Sequence, residues 1–143
     1  MATFVAIPEK TQTATAMKRV LEYVMQDKKT VIDGIKLVSG QNCVPEVAYN
    51  EFMATKHRFN KVKGVFFKQY VQSFKPDCGA TPQQIHQIGL ETAKAFDGFE
   101  VVVATHIDRD HWHNHFVVNS VQRNGIKNSD KRERLGRTAT SLG

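Results

Sequence analysis

The sequence predicts an α+β domain: a largely antiparallel sheet with helices packed on one face. Three observations predict it. Segments with helical spacing of apolar residues interleave with short runs at strand spacing. Several strand-like runs are joined by hairpin-type connections, which select antiparallel pairing. The length of 143 residues suits one domain, able to bury a proper core without disulfides or a structural metal.

Taken in order, Thr3–Ile7 reads as a short strand stopped by Pro8. Thr11 or Thr13 can cap the helix that follows, on which Met17, Val20, Leu21 and Val24 fall at i, i+3, i+4 and i+7. Tyr23 sits at the flank of that stripe, where its ring can pack and its hydroxyl can point to a groove. Taken alone, the position is better explained by a plain boundary aromatic. Asp27-Lys28-Lys29 ends the helix. Val31-Ile32 and Ile35–Val38 flank Asp33-Gly34, a hairpin signal, and Ser39–Asn42 reads as a turn.

Pro45 suits a first helical position. Ala48, Phe52, Thr55 and Phe59 then form a second stripe, beside Tyr49. Lys56, Arg58, Lys61 and Lys63 cluster around that helix end, as a solvated face or a phosphate-contacting patch. Val65–Phe74 is a long aromatic-rich strand carrying Lys68, with Lys75–Gly79 breaking it. Thr81-Pro82-Gln83-Gln84 is a capping box with proline in the first turn. The third helix runs through Ile85, Ile88, Thr92 and Phe96 to Gly98, with His86 read as a surface residue. Phe99–His106 and His111–Val121 form a hairpin around a tight connection at Asp108-Arg109-Asp110. Asn124-Gly125 signals a further turn, preceded by Arg123. Residues 1–125 form the expected domain. Residues 126–143 are a basic tail with Lys127, Lys131, Arg132, Arg134 and Arg137, without an apolar stripe, and are expected to be poorly ordered or to need missing partner sequence.

Composition narrows the partners. A formal charge of +6 and a pI near 9.4 favour a polyanion, nucleic acid first. Cys43 and Cys78 form no close pair, which suits a reducing cytoplasm. No apolar run approaches a membrane span.

Four of the six histidines lie within ten positions, in Thr105–Ser120. His111, His113 and His115 alternate with Trp112, Asn114 and Phe116, so strand geometry sets the imidazoles on one face and Trp112, Phe116 and Val118 on the other. At about 3.3 Å per residue, His113 and His115 are about 6.6 Å apart along the strand, close enough to converge on one ion. A third ligand can come from His106, which ends the run Val101–Ala104. Imidazole suits transition ions and leaves coordination positions open to substrate. Solvated strand histidines are the bland alternative. Structural zinc is a second, disfavoured because the two cysteines form no C-x-x-C pair.

This stretch resembles the three-histidine motif of the conjugative relaxases, DNA-nicking HUH endonucleases of mobile elements. It looks nearest to the MobA/VirD2-like mobilisation nucleases of Gram-positive plasmids and integrative conjugative elements. Ser39–Cys43, Val71–Pro76 and His113–Ser120 are further matching pieces. The resemblance implies a palm-like, five-stranded, mostly antiparallel sheet flanked by helices. It implies nicking at an origin of transfer through a covalent 5′-phosphotyrosyl intermediate, strand rejoining, and a divalent ion, Mn²⁺, Mg²⁺ or another transition ion.

Carried over residue by residue, the metal histidines match His106, His113 and His115, with His111 in reserve. Strand parity alone does not decide among them, since a tight turn would set His106 opposite His111. Asp108 matches the family's acidic residue, expected to orient a ligand. Tyr23 matches the nucleophile. Gln69 departs from the histidine that relatives often carry there. The expected DNA contacts are Arg58, Lys61, Lys63, Lys68, Arg109, Arg123 and Lys127. Origin DNA, accessory relaxosome proteins and a coupling protein are the implied partners. Two rival functions remain: a metal-dependent phosphodiester hydrolase using water, and a non-catalytic origin-binding module.

Overall fold

The computed structural model describes residues 2–126. Lys127 and the remaining tail residues singled out above lie outside the described residues. The core is a five-stranded sheet in the order β1-β5-β7-β6-β4, antiparallel at every pairing. Its strands are β1 (Ala2–Ile7), β4 (Val38–Gln41), β5 (Phe67–Phe74), β6 (Val101–His106) and β7 (Trp112–Asn119). A small hairpin, β2 (Val31–Ile32) with β3 (Ile35–Lys36), stands apart from it. Asp33 and Gly34 both take positive φ at its turn, as the Asp-Gly signal requires.

Helices α1 (Ala14–Val24) and α3 (Ala48–Arg58) cover one face, while α4 (Pro82–Ala93) covers the other. The expectation of helices on one face is therefore corrected. On the first face Met17, Leu21, Val24 and Phe52 pack on Phe67, Val102, Ala104 and Val117. On the second, Ala93, Phe96 and Phe99 pack on Tyr70, Val101, Val103, Phe116 and Val118. β6 is buried along its whole length, because each side chain meets a helix layer whichever way it points. Each such Val or Phe removes enough apolar area to contribute about 1.5–3 kcal/mol.

Local signals account for most boundaries. Thr13 caps α1, accepting from Ala16 N at 3.0 Å, and Thr81 with Gln84 closes the reciprocal capping box of α4. A 3₁₀ turn opening at Pro45 leads into α3. Two boundaries differ from expectation. The Asp27–Lys29 run does not merely end α1; it belongs to a separate helical turn, α2 (Asp27–Thr30). Ser39–Gln41 is strand rather than turn, because pairing with Val101–Val103 outweighs its turn composition and delays the left-handed residue to Asn42. Gly40 fits there because a Cβ would stand 2.1 Å from the Cys43 carbonyl oxygen.

Two polar residues read as surface are interior. Lys56 is fully buried, its ammonium donating to Phe66 O, to Asn119 Oδ1 and, at 3.0 Å, to Ser120 Oγ. It cannot be part of an exposed phosphate patch. His86 is buried between Ser39 Oγ, 2.7 Å from its Nε2, and Thr105 Oγ1, 2.8 Å from its Nδ1. In both cases a neighbouring element supplies partners that no local pattern reveals.

Candidate active site

β6 and β7 are joined by five residues, Ile107–His111, and the hairpin pairs His106 with His113 and Ala104 with His115. The tight turn that would set His106 against His111 does not form. His111 lies in the exposed connection ahead of β7, so the alternation of three imidazoles on one strand face is corrected to two, His113 and His115. His106 completes the trio from β6. Its ring lies 3.9 Å from that of His115, and the His113 and His115 rings are 6.1 Å apart, centroid to centroid.

These imidazoles share the sheet face covered by α1, and the C-terminal end of α1 reaches them directly. His106 Nε2 donates to Val24 O at 2.8 Å. That bond fixes the neutral tautomer and leaves Nδ1 as the lone-pair nitrogen. Tyr23, half exposed, sets its ring edge-on to His106 at 6.2 Å. Arg19, one turn earlier on α1, lines a pocket with Val20, Tyr23, Val24, Gln69 and His115. Gln69 reaches it because β5 pairs with β7, with Val71 opposite His115 and Gln69 opposite Val117.

Electrostatics keep the trio uncharged. Burial, and then His106 and His113, push His115 down to about 3. Burial also lowers His106, outweighing the raising effect of the Val24 carbonyl, with Lys29 adding to the fall. His113 is lowered by burial and by nearby His111. Neutral imidazoles offer lone pairs, as a divalent ion requires. His115 Nδ1 is moreover a buried nitrogen without a hydrogen-bond partner among the described residues, and such atoms are rare unless a bound group satisfies them. As the side chains stand, no three His, Cys, Asp or Glu among the described residues form a group ready to hold an ion, and two of the rings pack against each other. The donor chemistry and the orphaned nitrogen fit a metal.

Asp108 follows His106 by two residues, and its carboxylate is held by Lys29 Nζ at 3.2 Å. Burial alone would raise it, but the hydrogen bond and charge of Lys29 hold it below the usual carboxylate value. Lys29 also places its ammonium 4.8 Å from the centre of the Tyr23 ring. Sequence reasoning passed over Lys29, because a four-residue turn is too short to show a stripe and Asp-Lys-Lys reads as solvated charge.

The basic residues fall into separate groups. Arg109 is exposed in the β6–β7 connection, where it lines a shallow depression with Asp110, His111 and His113. Arg58 and Arg123 line another with Asp97 and Gly98, at the opposite end of β6 from His106. Lys61 and Lys63 precede β5 at that same far end, where Phe67 pairs with Asn119. Lys68 alternates with Phe67 and Gln69, and so points to the α4 face rather than toward the imidazoles.

Comparison with known proteins bears on this arrangement. The family described as relaxase, MobA/VirD2-like, nuclease domain, matches residues 23–142. Protein rlx of Staphylococcus aureus is 44% identical over 84 residues, covering 58% of this chain and 26% of its own. Group II intron-interrupted relaxase LtrB of Lactococcus lactis subsp. cremoris is 38% identical over 125 residues, covering 68% of this chain and 22% of its own. The chain thus spans about a quarter of the length of these relatives. A family match over most of its residues, including both strands that carry the imidazoles, settles where it belongs: this chain is a member of the MobA/VirD2-like relaxase nuclease-domain family.

Proposed function

We propose that the domain nicks one strand of DNA at an origin of transfer by transesterification, and rejoins strands by the reverse reaction. The observation that carries this reading is the meeting of one half-exposed phenol, Tyr23, with three neutral imidazoles on a single sheet face. A water-using hydrolase has no need of that phenol.

His106, His113 and His115 would hold the divalent ion, Mn²⁺, Mg²⁺ or another transition ion, whose chemistry when bound is to polarise the scissile phosphate and neutralise charge in the transition state. Tyr23 Oη attacks phosphorus as the P–O3′ bond breaks. The phenol loses its proton and the departing 3′ oxygen gains one, leaving a 5′-phosphotyrosyl link and a free 3′ hydroxyl. The phosphodiester is exchanged rather than hydrolysed, so the 3′ hydroxyl can attack the link and restore the strand. Arg109 beside the site, Arg58, Lys61, Lys63 and Arg123 at the far end of the sheet, and Lys68 and Lys127 would contact phosphates. In a bacterial cytoplasm the partners would be origin DNA, accessory relaxosome proteins and a coupling protein. No helix among the described residues is long and apolar enough to cross a membrane.

The test is incubation with an end-labelled single-stranded origin oligonucleotide and Mn²⁺, resolved on a denaturing gel. The expected result is a protein-linked product, lost in Tyr23→Phe while DNA binding persists. Cleavage without a protein link would favour the hydrolase, and binding without cleavage under any divalent ion the origin-binding module. A link surviving in Tyr23→Phe would move the nucleophile elsewhere.

A further inference from the structure

We infer that Lys29 is a working part of the Tyr23 site: its ammonium stabilises the negative charge that the Tyr23 oxygen carries during strand transfer, and Asp108 acts on the reaction by holding Lys29 in place. The inference rests on the reading of Tyr23 as nucleophile.

The geometry is specific. Lys29 Nζ lies 3.2 Å from Asp108 Oδ2 and 4.8 Å from the Tyr23 ring centre, so it bridges the two. The Asp108 carboxylate accepts a hydrogen bond from the ammonium, and the Tyr23 ring, with the phenol it carries, stands on the ammonium's other side as its second neighbour. The main chain is fixed as well, with Lys29 O accepting from Ile107 N at 2.8 Å and Lys29 N donating to Gln26 O at 3.0 Å. Lys29 therefore sits on a frame tied to the residue that follows His106. Its side chain is only 11% exposed, on a surface turn where Lys28 remains in solvent.

Stability is a poor explanation for that burial. Ordering a lysine side chain costs rotamer entropy, and a pair whose carboxylate is partly in water offsets little of it. Function explains it better. The phenol oxygen must carry negative charge when it attacks, and again when it departs as the strand is rejoined. A fixed cation beside it lowers both barriers by the same interaction, whereas a free lysine would first have to be recruited. A charged ammonium has no lone pair, so Lys29 is not the base that removes the phenol proton. Asp108 is then a positioning residue, acting through Lys29 rather than through an imidazole.

The experiment measures single-turnover adduct formation, and rejoining from the purified adduct, for Lys29→Met, Lys29→Arg, Asp108→Asn and the Lys29→Met/Asp108→Asn double variant. DNA affinity is followed by fluorescence anisotropy. Lys29→Met should slow both directions by roughly tenfold to a hundredfold while affinity changes less than about twofold. Lys29→Arg should recover most of the rate. The double variant should be no slower than Lys29→Met alone, since Asp108 has nothing left to hold. If Lys29→Met melts below the assay temperature, Lys29→Gln takes its place. Wild-type rates in Lys29→Met, losses of affinity that match losses of rate, or additive effects in the double variant would each overturn the inference while leaving Tyr23 in its role. An adduct that persists in Tyr23→Phe would remove the reading and the inference together.

Discussion

Thr105 and Asn114 face each other across β6 and β7, and Thr105 Oγ1 donates to Asn114 Oδ1 at 2.6 Å, on the sheet face opposite the imidazoles of His106, His113 and His115. Each is the immediate chain neighbour of a histidine of the trio. The reverse of the histidine platform is thus a polar lock. Asn114 Nδ2 donates to Gln72 Oε1 at 3.0 Å and to Ile85 O at 2.8 Å, and Gln72 Nε2 continues to Thr92 Oγ1 at 3.1 Å. Replacing Asn114 by Leu would strand the Gln72 and Ile85 acceptors in the interior, at about 1–3 kcal/mol for each group. The measurement is denaturant unfolding, which should show a clear fall in midpoint. Gly89→Ala should act on the same lock by steric means, since its Cβ would meet the Asn114 carboxamide at 2.8 Å.

His86 extends that lock and makes it sensitive to pH. The one Thr105 hydroxyl hydrogen is used on Asn114, so His86 Nδ1 must donate to Thr105, and in the neutral ring Nε2 then accepts from Ser39. This is a neutral imidazole, and burial lowers its pKa below the ordinary 6.5. Between the folded and unfolded values the unfolded chain binds the extra proton, so stability rises with pH there. His86's contribution is whole above about pH 6.5 and is lost as pH falls below it, by at most about 1.4 kcal/mol per pH unit for one proton. His106, His113 and His115 are lowered too and add slope of the same sign. Thermal melts from pH 8 to pH 4 should therefore show a shallower decline in His86→Gln than in the parent. An identical slope would mean that His86 is already charged in the fold.

Much of the fold was legible, and the exceptions share a cause. Caps at Thr13 and Thr81, the Asp33-Gly34 turn and the alternation in β7 are local, so the sequence carries them without help. The run Val101–Ala104 also held the clue to helices on both faces, since a strand covered on one side alternates whereas this one is apolar throughout. Ser39–Gln41, Lys56 and His86 were misread because their state depends on partners in other elements, 10 to 64 positions away, such as Phe66, Thr105 and Ser120. At the site, the trio and Tyr23 carried chemical signals in residue type and spacing. Lys29 carried none, being an ordinary lysine until the β6–β7 connection folds over it.

Lys56 and the outer arginines should respond in opposite ways to mutation. Lys56→Met removes a buried cation whose partners include Asn119, which in turn donates to Glu100 Oε1 at 2.9 Å. The expected cost is roughly 2–4 kcal/mol of stability, with the salt dependence of DNA binding unchanged. Arg58→Ala/Arg123→Ala takes two exposed cations from one depression. It should leave the unfolding midpoint nearly unmoved and reduce the slope of log affinity against log salt by about 1.4, if both touch single-stranded phosphates. Anisotropy titrations at several salt concentrations, with unfolding curves beside them, separate the two.

The orphaned His115 nitrogen gives the sharpest expectation for the metal. If His115 belongs to the ligand set, His115→Ala should abolish Mn²⁺ binding measured by calorimetry in the absence of DNA. His111→Ala should leave it intact, because His111 lies in the exposed connection rather than on the strand face. Acid should tell the same story. A proton competes with the ion only near the ligand's own pKa, and His115 is held down at about 3. Proton competition at His115 therefore sets in well below the range of an ordinary imidazole. His106 and His113 are lowered as well, so affinity should stay nearly flat from pH 8 to about 6.5, where free imidazoles would already begin to lose it. Intact Mn²⁺ binding in His115→Ala together with its loss in His111→Ala would mean that His111 and not His115 supplies the nitrogen.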